Sequence, residues 1–232
     1  MSYAAACADG ANADGCTIGT SNITYTLTGN ITPASGVRGI DLTSGADGNT
    51  INLTGYISTT GSSAYALHIN TSASNTLSLT GDVSTAGASA YAMYFENSAS
   101  NTLSLTGDIS TTESSSLALY LLNSDSNTLS VTGDVSTTGN FARAVYFNSS
   151  DSNTLSVTGD VSTMGTSANT LYFNGSNSNT LSVTGNVSTT GATAHGVFFN
   201  NSDSNTINLN GLVSATGTDS YALYANVSSD NN

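Results

Sequence analysis

The chain has no lysine and no tryptophan, a single proline at Pro33, and Arg38 and Arg143 as its only arginines. Against 15 acidic residues this leaves a formal net charge of −13. Nucleic-acid binding draws on a basic surface that neutralises phosphates, and anionic lipid attracts basic segments, so neither is an expected partner. No apolar run approaches the ~20 residues of a membrane helix, so this segment is not expected to insert. Histidine is confined to His68 and His195, which fall in different repeat columns and read as isolated surface residues. With serine spread everywhere and no distinguished carboxylate pair, no catalytic constellation stands out, and the chain is not read as an enzyme. The only cysteines, Cys7 and Cys16, lie nine residues apart ahead of the repeats. They can close a small disulfide loop, which fits an oxidising compartment, or remain two free thiols.

A repeat is what the chain does contain. The pair Asn-Thr begins at Asn49, Asn75, Asn101, Asn127, Asn153, Asn179 and Asn205, each 26 residues after the last. A glycine follows each asparagine by six residues, giving Gly55, Gly81, Gly107, Gly133, Gly159, Gly185 and Gly211. A fixed period of this size marks units that stack on their neighbours.

The unit from Asn75 to Ser100 shows what is stacked. Leu77 and Leu79 alternate with Thr76, Ser78 and Thr80, the period-two pattern of a strand with one apolar face. Gly81 ends that strand at a corner expected to need positive φ. Val83 opens a second short strand, and Met93 and Phe95 mark a third. Glycine, asparagine and β-branched residues throughout disfavour helix. Three short strands per 26 residues describe one rung of a parallel β-solenoid, with about eight rungs over residues 21–232. Residues 1–20 are expected to form an N-terminal cap holding the cysteine loop. Asn75, Asn101, Asn127, Asn153 and Asn179 are assigned to a structural column at an inner corner, together with the glycine column from Gly81 to Gly185. The first rung is offset, since Ile40 and Leu42 match Leu67 and Ile69 at a spacing of 27. No capping segment is visible at the C-terminal end, so the last rung is expected to present an open edge that invites self-association.

Units such as GDVSTTGNFARAVYFNSSDSNTLSVTG, residues 133–159, resemble the β-helical passenger repeats of Gram-negative autotransporters. The shared features are G-x-[IV]-S-T-x-G, then Ala-x-[GA]-[LIV]-Tyr, then an Asn-Thr-hydrophobic strand, over about residues 21–228. The resemblance implies a right-handed parallel β-helix, secreted through the outer membrane and displayed on the cell surface. It also implies a C-terminal translocator barrel, which this sequence does not contain.

Three outward columns are candidates for function. Tyr94, Tyr120, Tyr146, Tyr172 and Tyr224, with His68 and Phe198 in the same column, form an aromatic stripe. Exposed aromatic patches mark contact surfaces, here for a glycan, a neighbouring cell or another copy; stacking that only stabilises the ladder is the alternative. The first strands carry a lattice of hydroxyls, Thr76-x-Ser78-x-Thr80 through Thr180-x-Ser182-x-Thr184, similar to the threonine faces of solenoidal antifreeze proteins. An acidic column runs through Asp82, Asp108, Asp134 and Asp160, with Asp125, Asp151 and Asp203 on another corner. Calcium between rungs would relieve repulsion there, but the calcium-binding nonapeptide pattern is missing, and a solvated acidic edge is the simpler reading. No cofactor is otherwise expected. The sequence favours a secreted or surface-displayed structural and adhesive solenoid. Its alternatives are a filament or surface-layer subunit joined end to end, and an ice- or glycan-binding module.

Overall fold

The computed structural model describes residues 5–10 and 12–226. Among these residues there is no helix, and parallel strands form three sheets that run the length of a β-solenoid. Sheet 1 has eight strands, from Thr24–Thr28 through Thr76–Thr80 to Thr206–Leu209. Sheet 2 has seven short strands, from Ile57–Thr59 to Val213–Ala215. Sheet 3 has ten, beginning with Ala5–Ala6, Cys16–Ile18 and Ile40–Leu42 and ending with Leu223–Asn226.

The 26-residue period becomes a register in which each residue pairs with its own equivalent. Thr102, Leu103 and Ser104 pair with Thr128, Leu129 and Ser130. In each central strand of sheet 1 the two aliphatic residues point into the core and the hydroxyl residues point out. The core is therefore a set of columns, with Leu103 over Leu129, Ile109 over Val135, and Phe147 stacked on Phe173 at 5.0 Å. Among the described strands the register departs from 26 only at the N-terminal end of sheet 3, where Ile40 pairs with Leu67, a step of 27, and Cys16 with Ile40, a step of 24.

Corners decide which residues the repeat must keep. Gly107 has φ 149°, and a Cβ there would fall 2.4 Å from the Gly81 carbonyl oxygen. Neighbouring rungs approach so closely at this corner that only hydrogen fits. Other left-handed positions are held by Asn97, Ser100, Asn123 and Ser126, residue types whose short polar side chains tolerate that conformation.

A buried amide ladder occupies the corner before sheet 1. Asn101 donates its backbone N–H to Asn127 Oδ1 at 2.9 Å, and its Nδ2 to Asn127 Oδ1 at 3.2 Å and to the Ser72 carbonyl at 3.0 Å. Asn127 repeats this toward Asn153 and the Ser98 carbonyl. A side-chain amide carries both a donor and an acceptor, so an identical column can bond to itself without limit. A serine ladder follows the same logic: the Ser98, Ser124 and Ser150 N–H groups donate to Oγ of Ser124, Ser150 and Ser176.

At the N-terminal end, Cys7 and Cys16 are joined by a disulfide. Gly10 exchanges backbone hydrogen bonds with Thr26 and Thr28, and the Thr32 N–H donates to the Ala13 carbonyl. Residues from this loop thus lie over the first strand of sheet 1, and Cys16, Ile18 and Leu27 are buried beneath. At the other end, Leu212 and Leu223 of the last described rung are 68% and 65% exposed. An open hollow of about 290 Å³ lies there, lined by Phe199, Ile207, Leu209, Val213 and Leu223 among others.

Replacing Asn127 by alanine strands the Asn101 N–H and the Ser98 carbonyl in a buried corner. The expected loss is about 2–6 kcal/mol, since each of the two orphaned buried groups costs about 1–3 kcal/mol. Thr128→Ala, on the exposed face beside it, is expected to change stability by less than about 0.5 kcal/mol. Urea midpoints of the two variants check this.

Candidate functional site

Sheet 3 carries its outward aromatic column in strict register: His68, Tyr94, Tyr120, Tyr146, Tyr172, Phe198 and Tyr224. Tyr94–Tyr120, Tyr120–Tyr146 and Tyr146–Tyr172 stack at 5.0, 4.9 and 4.9 Å with interplanar angles of 4°, 8° and 8°. Ring faces are therefore turned toward the next rung, which leaves edges and hydroxyls on the outside.

The stripe is not the exposed flat patch expected from the sequence. Tyr94 and Tyr120 are only 6% and 8% exposed, Tyr146 and Tyr172 are half-buried, and only Tyr224, on the last described rung, is open. A second column, Tyr65, Tyr91, Leu117, Arg143, Asn169, His195 and Tyr221, precedes each strand and covers one side of the stripe. Tyr91 meets Tyr94 and Tyr120 edge-on at 84° and 85°. The residue types of this covering column vary from rung to rung, so no sequence periodicity announces it. On the other side, the Asn148 amide donates to the Tyr120 hydroxyl at 3.2 Å. It begins an amide ladder in which Asn174, Asn200 and Asn226 each donate to the asparagine one rung before.

Burial sets the ionisation of these phenols. Desolvation pushes Tyr91 and Tyr146 up to about 12 and raises Tyr65, Tyr94, Tyr120 and Tyr172 as well. These phenols are uncharged at neutral pH.

His68 is corrected from an isolated surface residue to a buried one, 1% exposed. Its Nδ1 lies 2.8 Å from Asp41 Oδ1 and its Nε2 3.2 Å from Glu96 Oε2. Arg38 Nη1 donates to both Asp41 oxygens at 2.9 and 3.1 Å and sits 5.1 Å from the Tyr65 ring centre. Burial works against charge on Asp41, but the His68 hydrogen bond and the Arg38 charge outweigh it and hold its carboxyl below the usual range. The chain Arg38–Asp41–His68–Glu96 uses both ring nitrogens on carboxylates. Among the described residues no hydroxyl or thiol is bonded to His68, so the arrangement orders charge rather than activating a nucleophile. The pair was implicit in the offset first rung: the 27-residue step that matches Ile40 to Leu67 also sets Asp41 against His68. His195 is likewise not isolated. It is half-buried against Phe198, Tyr221 and Tyr224, its Nδ1 accepts the Tyr221 N–H at 3.1 Å, and burial lowers its pKa.

The acidic column is a further self-bonding ladder. Asp82, Asp108, Asp134 and Asp160 each accept, through Oδ1, the backbone N–H one rung ahead, at 2.9, 2.8, 2.7 and 2.7 Å. Asp125 and Asp151 do the same for Asp151 and Asn177, and Asp203 donates its N–H to Asn177 Oδ1. Among the described residues no three His, Cys, Asp or Glu side chains gather into a metal site.

Sheet 1 presents the most open face. Thr102, Ser104 and Thr106, and their equivalents two rungs to either side, point outward and are almost all exposed. The hydroxyls of Thr102, Ser104 and Thr106 form no hydrogen bond within the described protein.

Comparison with family models, curated proteins and solved structures returns no match. The faces therefore have to be read from their own chemistry.

A folded state that holds phenols protonated binds protons more tightly than the unfolded chain, so their contribution to stability is complete below the ordinary tyrosine pKa of 10 and is lost as pH rises. Absorbance titration is expected to show Tyr91 and Tyr146 ionising near pH 12, and urea midpoints are expected to fall between pH 10 and that value. Full ionisation of every tyrosine by pH 11 in a folded chain would contradict the buried stripe.

Proposed function

We propose that this chain is an extracellular structural and adhesive β-solenoid, of the kind displayed at Gram-negative surfaces, and that it acts through its flat sides. The observation that carries this reading is sheet 1. Its central strands bear an uncharged array of hydroxyls, in register along the axis and not used by the protein itself. Such a face offers weak polar contacts that gain strength through number rather than through a pocket. The Cys7–Cys16 disulfide supports an oxidising location. Residues 133–159, which carry the resemblance to passenger repeats, lie wholly within the regular rungs.

Beads coated with the protein test it directly. They are expected to attach to cells or to one another, and the triple variant Ser104→Lys, Ser130→Lys, Ser156→Lys, confined to exposed positions, is expected to abolish attachment. Unchanged attachment by the folded triple variant removes sheet 1 from the mechanism. The same variant serves the ice-binding alternative, in which the parent shows thermal hysteresis and the variant does not.

End-to-end assembly is a second reading, favoured by the exposed Leu223 and the apolar hollow that it lines. It predicts concentration-dependent oligomers in sedimentation runs that Leu223→Asp disperses; a parent that stays monomeric at high concentration contradicts it.

A further inference from the structure

The chain has two basic residues against 15 acidic ones, and the structure uses them differently. Arg38 is neutralised by Asp41. Arg143 has no ion pair and donates no side-chain hydrogen bond among the described residues. Its Nε is buried without a partner. Its terminal nitrogens are neither bonded nor among the buried unpaired atoms, so they reach solvent.

The guanidinium is nonetheless held firmly. Its central carbon lies 4.7 Å from the Tyr146 ring centre and 4.8 Å from that of Tyr172, so the cation straddles two stacked rings. Cation–π attraction offsets part of the lost hydration. It does not satisfy the buried Nε–H, and a half-buried guanidinium whose exposed end has no protein partner can take an acceptor from outside. Packing does not call for an arginine here, because the same covering position holds Tyr65, Tyr91, Leu117, Asn169, His195 and Tyr221 in other rungs, and Arg38, one 27-residue step before Tyr65, holds it only with Asp41 as its partner. Neutral residues of several shapes fill it.

We propose that Arg143 is a binding site for a single oxyanion, a carboxylate of a monoanionic sugar acid, received end-on by its two terminal nitrogens. Guanidinium pairs with carboxylates in this two-pronged way because the fork of donors matches the two oxygens. A single negative charge is specified because the chain's net charge of −13 repels polyanions. An uncharged polar body is specified by what lies beyond the rings that Arg143 covers: the Asn148 and Asn174 amides, on the opposite side of the stripe. The site lies on sheet 3 and stands apart from the adhesive reading of sheet 1, so each can fail without the other.

Methyl β-D-glucuronide is the probe, with methyl β-D-glucoside as its uncharged counterpart, titrated into the full chain at low salt and followed by NMR. The glucuronide is expected to bind in the millimolar range and at least about tenfold more tightly than the glucoside, equivalent to about 1.4 kcal/mol. Arg143→Gln is expected to lose that tenfold. Arg143→Tyr installs a residue the column already uses at Tyr65 and Tyr91, so the fold is expected to persist while the preference disappears. A heparin-type polyanion is expected to bind no better than the monoanion. Equal binding of acid and glucoside, equal binding by the folded Arg143 variants, tighter binding of the polyanion, or no binding of the glucuronide at tens of millimolar would overturn the proposal.

Discussion

Rung rests on rung through parallel backbone ladders, and with a 26-residue register almost every side chain lies over its own equivalent. Successive rungs are only about 4.8 Å apart. A residue is tolerated in a column only if it can live next to copies of itself at that distance. This constraint selects the residue types of the whole chain. Aliphatic residues satisfy it by packing, asparagine by being donor and acceptor at once, and glycine where backbone meets backbone as at Gly107 and Gly81. Tyrosine satisfies it by stacking its faces.

Charge satisfies it badly, and the structure shows two solutions. On the exposed corner, Asp108 and Asp134 aim a carboxylate oxygen at the next backbone N–H, so each anion is met by a donor. Inside, charge appears where columns are interrupted. Asp41 opposes His68 rather than another Asp because the register slips there, and Glu96 lies where the neighbouring rungs place Asn70 and Leu122. A cation, an anion and a histidine can then alternate along the axis, as Arg38, Asp41, His68 and Glu96 do. Arg143 is the exception: unlike Arg38, which opens the same column beside Asp41, it has rings rather than carboxylates beside it.

Most of the fold could be read from the sequence because self-pairing converts spacing into contact. The inward columns through Leu103, Ile109 and Phe95, the offset at Ile40 and the Cys7–Cys16 link all appear as expected. The functional surfaces were harder to read, for physical reasons. Alternation shows that Tyr120 points away from the core, but not that the turn before its strand lays Tyr91 against it. A covering column assembled from Tyr, Leu, Arg, Asn and His has no type to repeat. His68 looked solitary because its partners Asp41 and Glu96 are one rung away on either side, at separations of 27 and 28 rather than 26. The structure shows the aromatic face largely covered while the hydroxyl face is open.

Distances along the axis test the stacked register most directly. Spin labels at Thr50→Cys and Thr154→Cys lie four 26-residue steps apart, and labels at Thr50→Cys and Thr206→Cys lie six steps apart, all on the outer face of sheet 1. Pulsed electron paramagnetic resonance is expected to give mean separations near about 19 Å and about 29 Å, an increment of about 4.8 Å per rung. Distances that do not grow in proportion to the number of rungs, or broad distributions without a defined maximum, would contradict a solenoid built by stacking each residue on its own kind.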